Sequence, residues 1–99
     1  MPAVARIGDS TTTGHACDTV STVIGPSTNV FANGLGVERQ GDPVAPHTIL
    51  VGLSCVPHSA VINVGSSKVF INGIPCARVG DSTDGGAITS GSSNVYAGG

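Results

Sequence analysis

The sequence predicts an all-β protein, a small cone of short strands and hairpins with approximate threefold symmetry. Three observations predict it. One frame is written three times along the chain, Asn-Gly pairs separate short apolar runs, and fifteen Gly among 99 residues argue against helices. No apolar period of 3.6 residues is sustained beyond about two turns.

The frame is Arg-x-Gly-Asp, a variable insert, then Gly-(x)-Ser-x-x-Val-aromatic-x-x-Gly. The copies run from Arg6-Ile7-Gly8-Asp9 to Gly34, from Arg39-Gln40-Gly41-Asp42 to Gly73, and from Arg78-Val79-Gly80-Asp81 to Gly99. Phe31, Phe70 and Tyr96 hold the same place in the copies. Gly34 precedes Arg39 by the same spacing that separates Gly73 from Arg78, so the frame has a fixed length. The inserts between Asp9 and Gly25, Asp42 and Gly65, and Asp81 and Gly91 differ in length, as loops on a constant scaffold do.

Val30-Phe31-Ala32 and Leu35-Gly36-Val37 flank Asn33-Gly34, and Val69-Phe70-Ile71 and Ile74-Pro75-Cys76 flank Asn72-Gly73. Asn-Gly between apolar strands predicts type I′ hairpins, whose central residues need positive φ. The third copy lacks a return strand. Ala5-Arg6-Ile7-Gly8-Asp9 matches Ala77-Arg78-Val79-Gly80-Asp81, so the N-terminus is expected to close the third unit, with the termini close together. The chain reads as one domain, 1–99, with no further domain at either end.

Composition excludes several classes. A net charge of −2 with four basic residues, three of them the repeat arginines, leaves no basic stripe for nucleic acid and no polybasic membrane patch. No apolar run approaches about 20 residues, and the first residues do not form a secretory signal. With three cysteines, not all can pair internally, and metal ligation or burial is favoured over a disulfide.

The inserts hold all three histidines, His15, His47 and His58, together with Cys17 and Cys55. Three imidazoles and a thiolate would fill a tetrahedral, closed zinc site. Cys55-Val56-Pro57-His58 is a Cys-x-x-His element, which favours Cys55 over Cys17 as the thiolate. Cys76, in a frame strand, reads as a small core residue. The Gly-Asp carboxylates recur in every unit, so they read as turn formers rather than a single general base.

Val69-Phe70-Ile71-Asn72-Gly73-Ile74-Pro75 followed by Ala77-Arg78-Val79-Gly80-Asp81 resembles the proline-alanine-alanine-arginine (PAAR) repeat motif. Pro75-Cys76-Ala77-Arg78 departs by one residue, and Leu35-Gly36-Val37-Glu38-Arg39 keeps only the Arg. The resemblance spans essentially the whole chain. It implies a conical spike-tip protein on the trimeric β-helical spike (a VgrG-like protein or a phage tail spike) of a type VI secretion system or contractile phage baseplate. It further implies one chain per trimer, one structural Zn²⁺ held by His15, His47, Cys55 and His58, and transient contact with the target membrane. Effector cargo could be carried non-covalently. The implied role is mechanical, with no catalytic residues. A small zinc-dependent hydrolase and a β-rich adhesin or binding module are the other readings, and an open water position on the metal would mark the hydrolase.

Overall fold

A computed structural model describes residues 1–99. It contains ten strands and no helix: β1 Ser10–Thr12, β2 Val20–Thr22, β3 Phe31–Ala32, β4 Leu35–Gly36, β5 Pro43–Val51, β6 Ser54–Val61, β7 Phe70–Ile71, β8 Ile74–Pro75, β9 Ser82–Thr83 and β10 Gly86–Ala87. They pair antiparallel as β1–β2, β3–β4, β5–β6, β7–β8 and β9–β10. The molecule is elongated, 41 × 23 × 23 Å, with an equal cross-section in its two short directions.

Both expected Asn-Gly hairpins form. Asn33 and Gly34 have φ of 56° and 77°, and Asn72 and Gly73 have 56° and 78°, the left-handed pair that a type I′ turn requires. The third unit is completed by the N-terminus: Ala3 bridges Tyr96, and the Val4 N–H donates to the Val95 carbonyl.

The frame closes on itself. Arg6 bridges Val37, Arg39 bridges Cys76 and Arg78 bridges Val4, which returns the cycle to the first unit. Inside this cycle the Glu38 N–H donates to the Ala5 carbonyl, Ala77 to Glu38, and Ala5 to Ala77, each at 3.0 Å. Three equivalent segments therefore satisfy one another's backbone groups around one axis.

Side chains alternate across these extended segments, so the ring separates two small apolar clusters. Val4, Val37 and Cys76 pack on one side with Ala32 and Ala97, while Ala5 and Ala77 pack on the other with Val23, Ile62 and Ile88. The second side also receives Glu38, which is fully buried and has no partner for either carboxyl oxygen. Cys76 is a free, buried thiol in the first cluster, as expected, and burial foremost pushes its pKa up to about 11.

The repeat arginines and aspartates pair within each unit. Arg Nε meets Asp Oδ2 at 3.0 Å in Arg6–Asp9, 2.9 Å in Arg39–Asp42 and 3.1 Å in Arg78–Asp81, and Nη2 meets Oδ1 in all three. The remaining Nη1 reaches the far end of its own copy: Asn33 Oδ1 for Arg6, Asn72 Oδ1 for Arg39 and the Gly98 carbonyl for Arg78. The repeated serines do equivalent work. Ser27, Ser66 and Ser92 are buried, and their hydroxyls accept the N–H groups of Val30, Val69 and Val95.

The inserts differ in form as well as in length. The second is a long hairpin, β5–β6, whose Gly52-Leu53 turn lies beyond its last pairings with the first insert at Ile49 and Leu50. The third is only the Asp84-Gly85 turn between β9 and β10.

Candidate metal centre

The second insert supplies two imidazoles. His47 and His58 face each other directly across β5–β6, so their side chains share one face of the hairpin. The register shifts between Val44 and His47. That irregularity frees the Ala45 carbonyl from the ladder, where it accepts from His47 Nδ1 at 2.9 Å and from the Ser21 hydroxyl at 3.0 Å.

The first insert brings the third imidazole. Buried Thr13 organises it, its Oγ1 lying 2.6 Å from the Asp18 carbonyl and 2.9 Å from that of His15. Asp18 ties the insert to β5 by accepting the Thr48 N–H at 2.8 Å and its hydroxyl at 2.9 Å. Those two donors, the N–H foremost, hold the Asp18 carboxyl below its usual range.

Asp84, from the third insert, lies among the imidazoles. Its φ of 52° is one that Asp tolerates in turns. The backbone brings it close because three neighbours lack side chains. A Cβ on Gly14 would overlap the Gly85 carbonyl, one on Gly86 would overlap the Thr12 carbonyl, and one on Gly85 would crowd the Thr13 carbonyl. Glycine at these positions lets the first and third inserts touch backbone to backbone.

The three imidazole centroids form a near-equilateral triangle with sides of 5.1, 5.1 and 5.2 Å. All three Nε2 atoms face Asp84, at 2.6 Å for His15, 2.8 Å for His47 and 3.3 Å for His58. One ligand atom from each of His15, His47, His58 and Asp84 lies within 4.8 Å of the others.

The donor chemistry fits a cation. His15 Nδ1 lies 3.0 Å from the Ala16 carbonyl and His47 Nδ1 2.9 Å from that of Ala45. A carbonyl only accepts, so each Nδ1 carries the proton and each neutral ring presents an Nε2 lone pair. Lone pairs converging on a carboxylate call for positive charge between them, either a metal ion or protons on the rings. Burial opposes charge on His47, but the Ala45 carbonyl and Asp84 outweigh it and raise the pKa above its ordinary 6.5. Burial also opposes ionisation of Asp84, yet its bonds to His15, His47 and His58 prevail and hold the carboxyl down to about 2.

The cysteines depart from expectation. Cys17 and Cys55 are joined in a disulfide, with Cα atoms 5.9 Å apart, so neither offers a thiolate. The reason lies in the strand. Within β6, Cys55 and His58 are separated by two residues, which in a period-two element places them on opposite faces. A Cys-x-x-His gap brings both side chains to one ion when the chain turns between them, and here it runs straight. The position expected for Cys55 is taken by Asp84, the one acidic residue inside the third insert. Its signal in the sequence was Asp-Gly in a short segment otherwise free of ligand-type side chains.

Side chains from all three inserts thus meet on one closed frame of three equivalent units. The model of the PAAR motif matches residues 13–88. The chain belongs to the PAAR-motif family. That match covers the inserts with all three histidines and Asp84, and both complete Asn-Gly hairpins of the PAAR frame. No curated protein matches the sequence. No helix in this PAAR protein is long and apolar enough to cross a membrane.

Proposed function

We propose that this PAAR protein is the tip of a contractile injection machine, seated on the end of a trimeric β-helical spike as one chain per trimer. The observation that carries the reading is the closed ring of Ala5, Glu38 and Ala77, around which one chain presents three equivalent units. Such a frame can sit on a true threefold axis and meet each spike chain with the same chemistry. Phe31, Phe70 and Tyr96 support it: they occupy equivalent positions and are 60, 54 and 51 % exposed. The two-stranded sheets β3–β4 and β7–β8 have open edges that a spike's strands could continue.

The metal we assign is Zn²⁺, one per chain, held by His15, His47, His58 and Asp84. Three imidazoles with one carboxylate suit zinc, and four protein ligands close a tetrahedral shell. A closed shell leaves no position for an activated water, which favours a structural role over hydrolysis.

The test is stoichiometry. A mixture of the chain with its cognate spike is expected to elute as one chain per spike trimer by light scattering. A complex of three chains with three spike chains would refute the docking mode.

A further inference from the structure

We infer that the β5–β6 turn is a lipid-inserting point, whose Leu50, Val51 and Leu53 enter the acyl region of a bilayer without help from specific headgroup charge. Four observations meet there. First, the turn is the outermost part of the insert end. Beyond the His47–His58 pair the ladder continues through Thr48–Pro57, Ile49–Val56, Leu50–Cys55 and Val51–Ser54 before turning at Gly52-Leu53. The last lateral ties from the first insert, the Cys17–Ile49 bridge, the Leu50 N–H to the Ala16 carbonyl and the disulfide at Cys55, end where the apolar residues begin.

Second, the turn is apolar and open. Leu50, Val51 and Leu53 are 50, 59 and 103 % exposed, and Leu53 touches nothing that would keep it from water. A lone exposed Leu is ordinary, but three at one protruding turn make a patch that serves an interaction.

Third, the stretch is free of fixed charge. From Pro43 to Ser67, a span that contains β5, the turn and all of β6, the sequence has no Asp, Glu, Lys or Arg. Burying a charge in hydrocarbon is costly, so its absence along the entire hairpin favours an apolar destination over an ionic one. The absence of Lys and Arg also argues against headgroup recognition, which uses basic clusters.

Fourth, the backbone can follow the side chains. The inward-facing N–H and C=O groups pair across the ladder as far as Val51 and Ser54 and the Ala16 carbonyl holds the Leu50 N–H, whereas the outer edges of this two-stranded sheet stay open and limit insertion to the point itself.

The inference deepens the tip reading and rests on it for which end leads. The assay itself needs no spike. Vesicles of pure phosphatidylcholine are titrated into the purified full-length chain, and the bound fraction is read by flotation at low and high salt. The wild type is expected to float with the vesicles, with binding undiminished by salt. Leu53→Ser is expected to weaken partitioning about tenfold, and Leu50→Ser with Leu53→Ser to abolish it, at unchanged melting temperature because these side chains are exposed. Absence of flotation by the wild type, binding that salt removes, or a double variant that floats as before would each overturn the proposal. Dimers in solution that Leu53→Ser dissolves would overturn it in favour of a second copy of this chain. Spike binding measured on the same variants separates the two readings: its retention alongside lost flotation assigns the turn to lipid and the frame to the spike.

Discussion

Asp84 Oδ2 lies 2.8 Å from His47 Nε2, although 37 residues separate them in the chain. This pair joins the shortest insert to the longest, and His15 of the first insert meets the same oxygen. Neither apolar cluster includes the residues around Asp84, so the insert end relies on such cross-links.

Asp84→Ala should weaken metal binding by at least tenfold, as read by competition with a chromophoric zinc chelator. His58→Ala should lower both affinity and melting temperature. A purified wild-type chain should carry about one zinc by elemental analysis. A fully folded preparation without metal would remove the site, and wild-type affinity in Asp84→Ala would remove the carboxylate from it.

Acid should release the ion. The imidazoles bind only when neutral, and His47 has its pKa raised above 6.5, so protons already compete near neutrality. Affinity should fall as pH drops through the imidazole range, with metal loss followed by dialysis at stepped pH. Occupancy unchanged down to about pH 4 would exclude histidine ligation.

The disulfide should act beside the metal. Cys17 and Cys55 are 38 residues apart, and closing a loop of that length stabilises the fold by about 4 kcal/mol in the chain-entropy account. Cys17→Ser with Cys55→Ser should therefore lower the denaturation midpoint. It should also weaken zinc binding, because Cys17 closely follows His15 and the bridge holds that insert against β6. Equal zinc affinity with and without the bridge would make the disulfide a stabiliser of the turn alone.

Glu38 sets a pH dependence of the opposite sign from acid unfolding. Burial first, then Asp42, raises its pKa from 4.5 to about 8, against the pull of Arg39. The unfolded chain ionises this carboxyl from the lower value and the folded chain resists until the upper one. The stability contribution is thus full below 4.5 and lost as pH rises to about 8, at up to about 1.4 kcal/mol per pH unit. Urea midpoints across that window should decline in the wild type and flatten in Glu38→Gln. Parallel curves for the two proteins would show Glu38 to be ionised or paired in the fold.

Close backbone approach at the insert end is equally testable. Gly86→Ala would drive a Cβ into the Thr12 carbonyl, so the β9–β10 turn must shift. The expected cost is about 2 kcal/mol, with a weaker metal site, because Asp84 moves with the turn. Thermal melting with and without chelator separates these two effects.

The sequence alone determined the symmetric part of this protein. Type I′ turns at Asn33-Gly34 and Asn72-Gly73, the closing of the third unit by the N-terminus, and the burial of Cys76 follow from turn chemistry and repetition. These are short-range constraints, written in the frame that the copies share. The histidine-bearing inserts were equally visible, because they are where the copies stop agreeing. What joins what inside those inserts was decided by tertiary structure. Whether Cys55 shares a face with His58 depends on the chain running as a straight strand there, and that parity sends its sulfur to Cys17. Asp84 becomes the fourth partner of the histidines because Gly14, Gly85 and Gly86 allow two inserts to touch, a contact between segments some seventy residues apart. Glu38 occupies a position held by alanine in the other units, and only closure of the ring makes that place an interior one. Turn propensity and repetition act between chain neighbours, whereas ligation and burial act across space, which a linear pattern does not record.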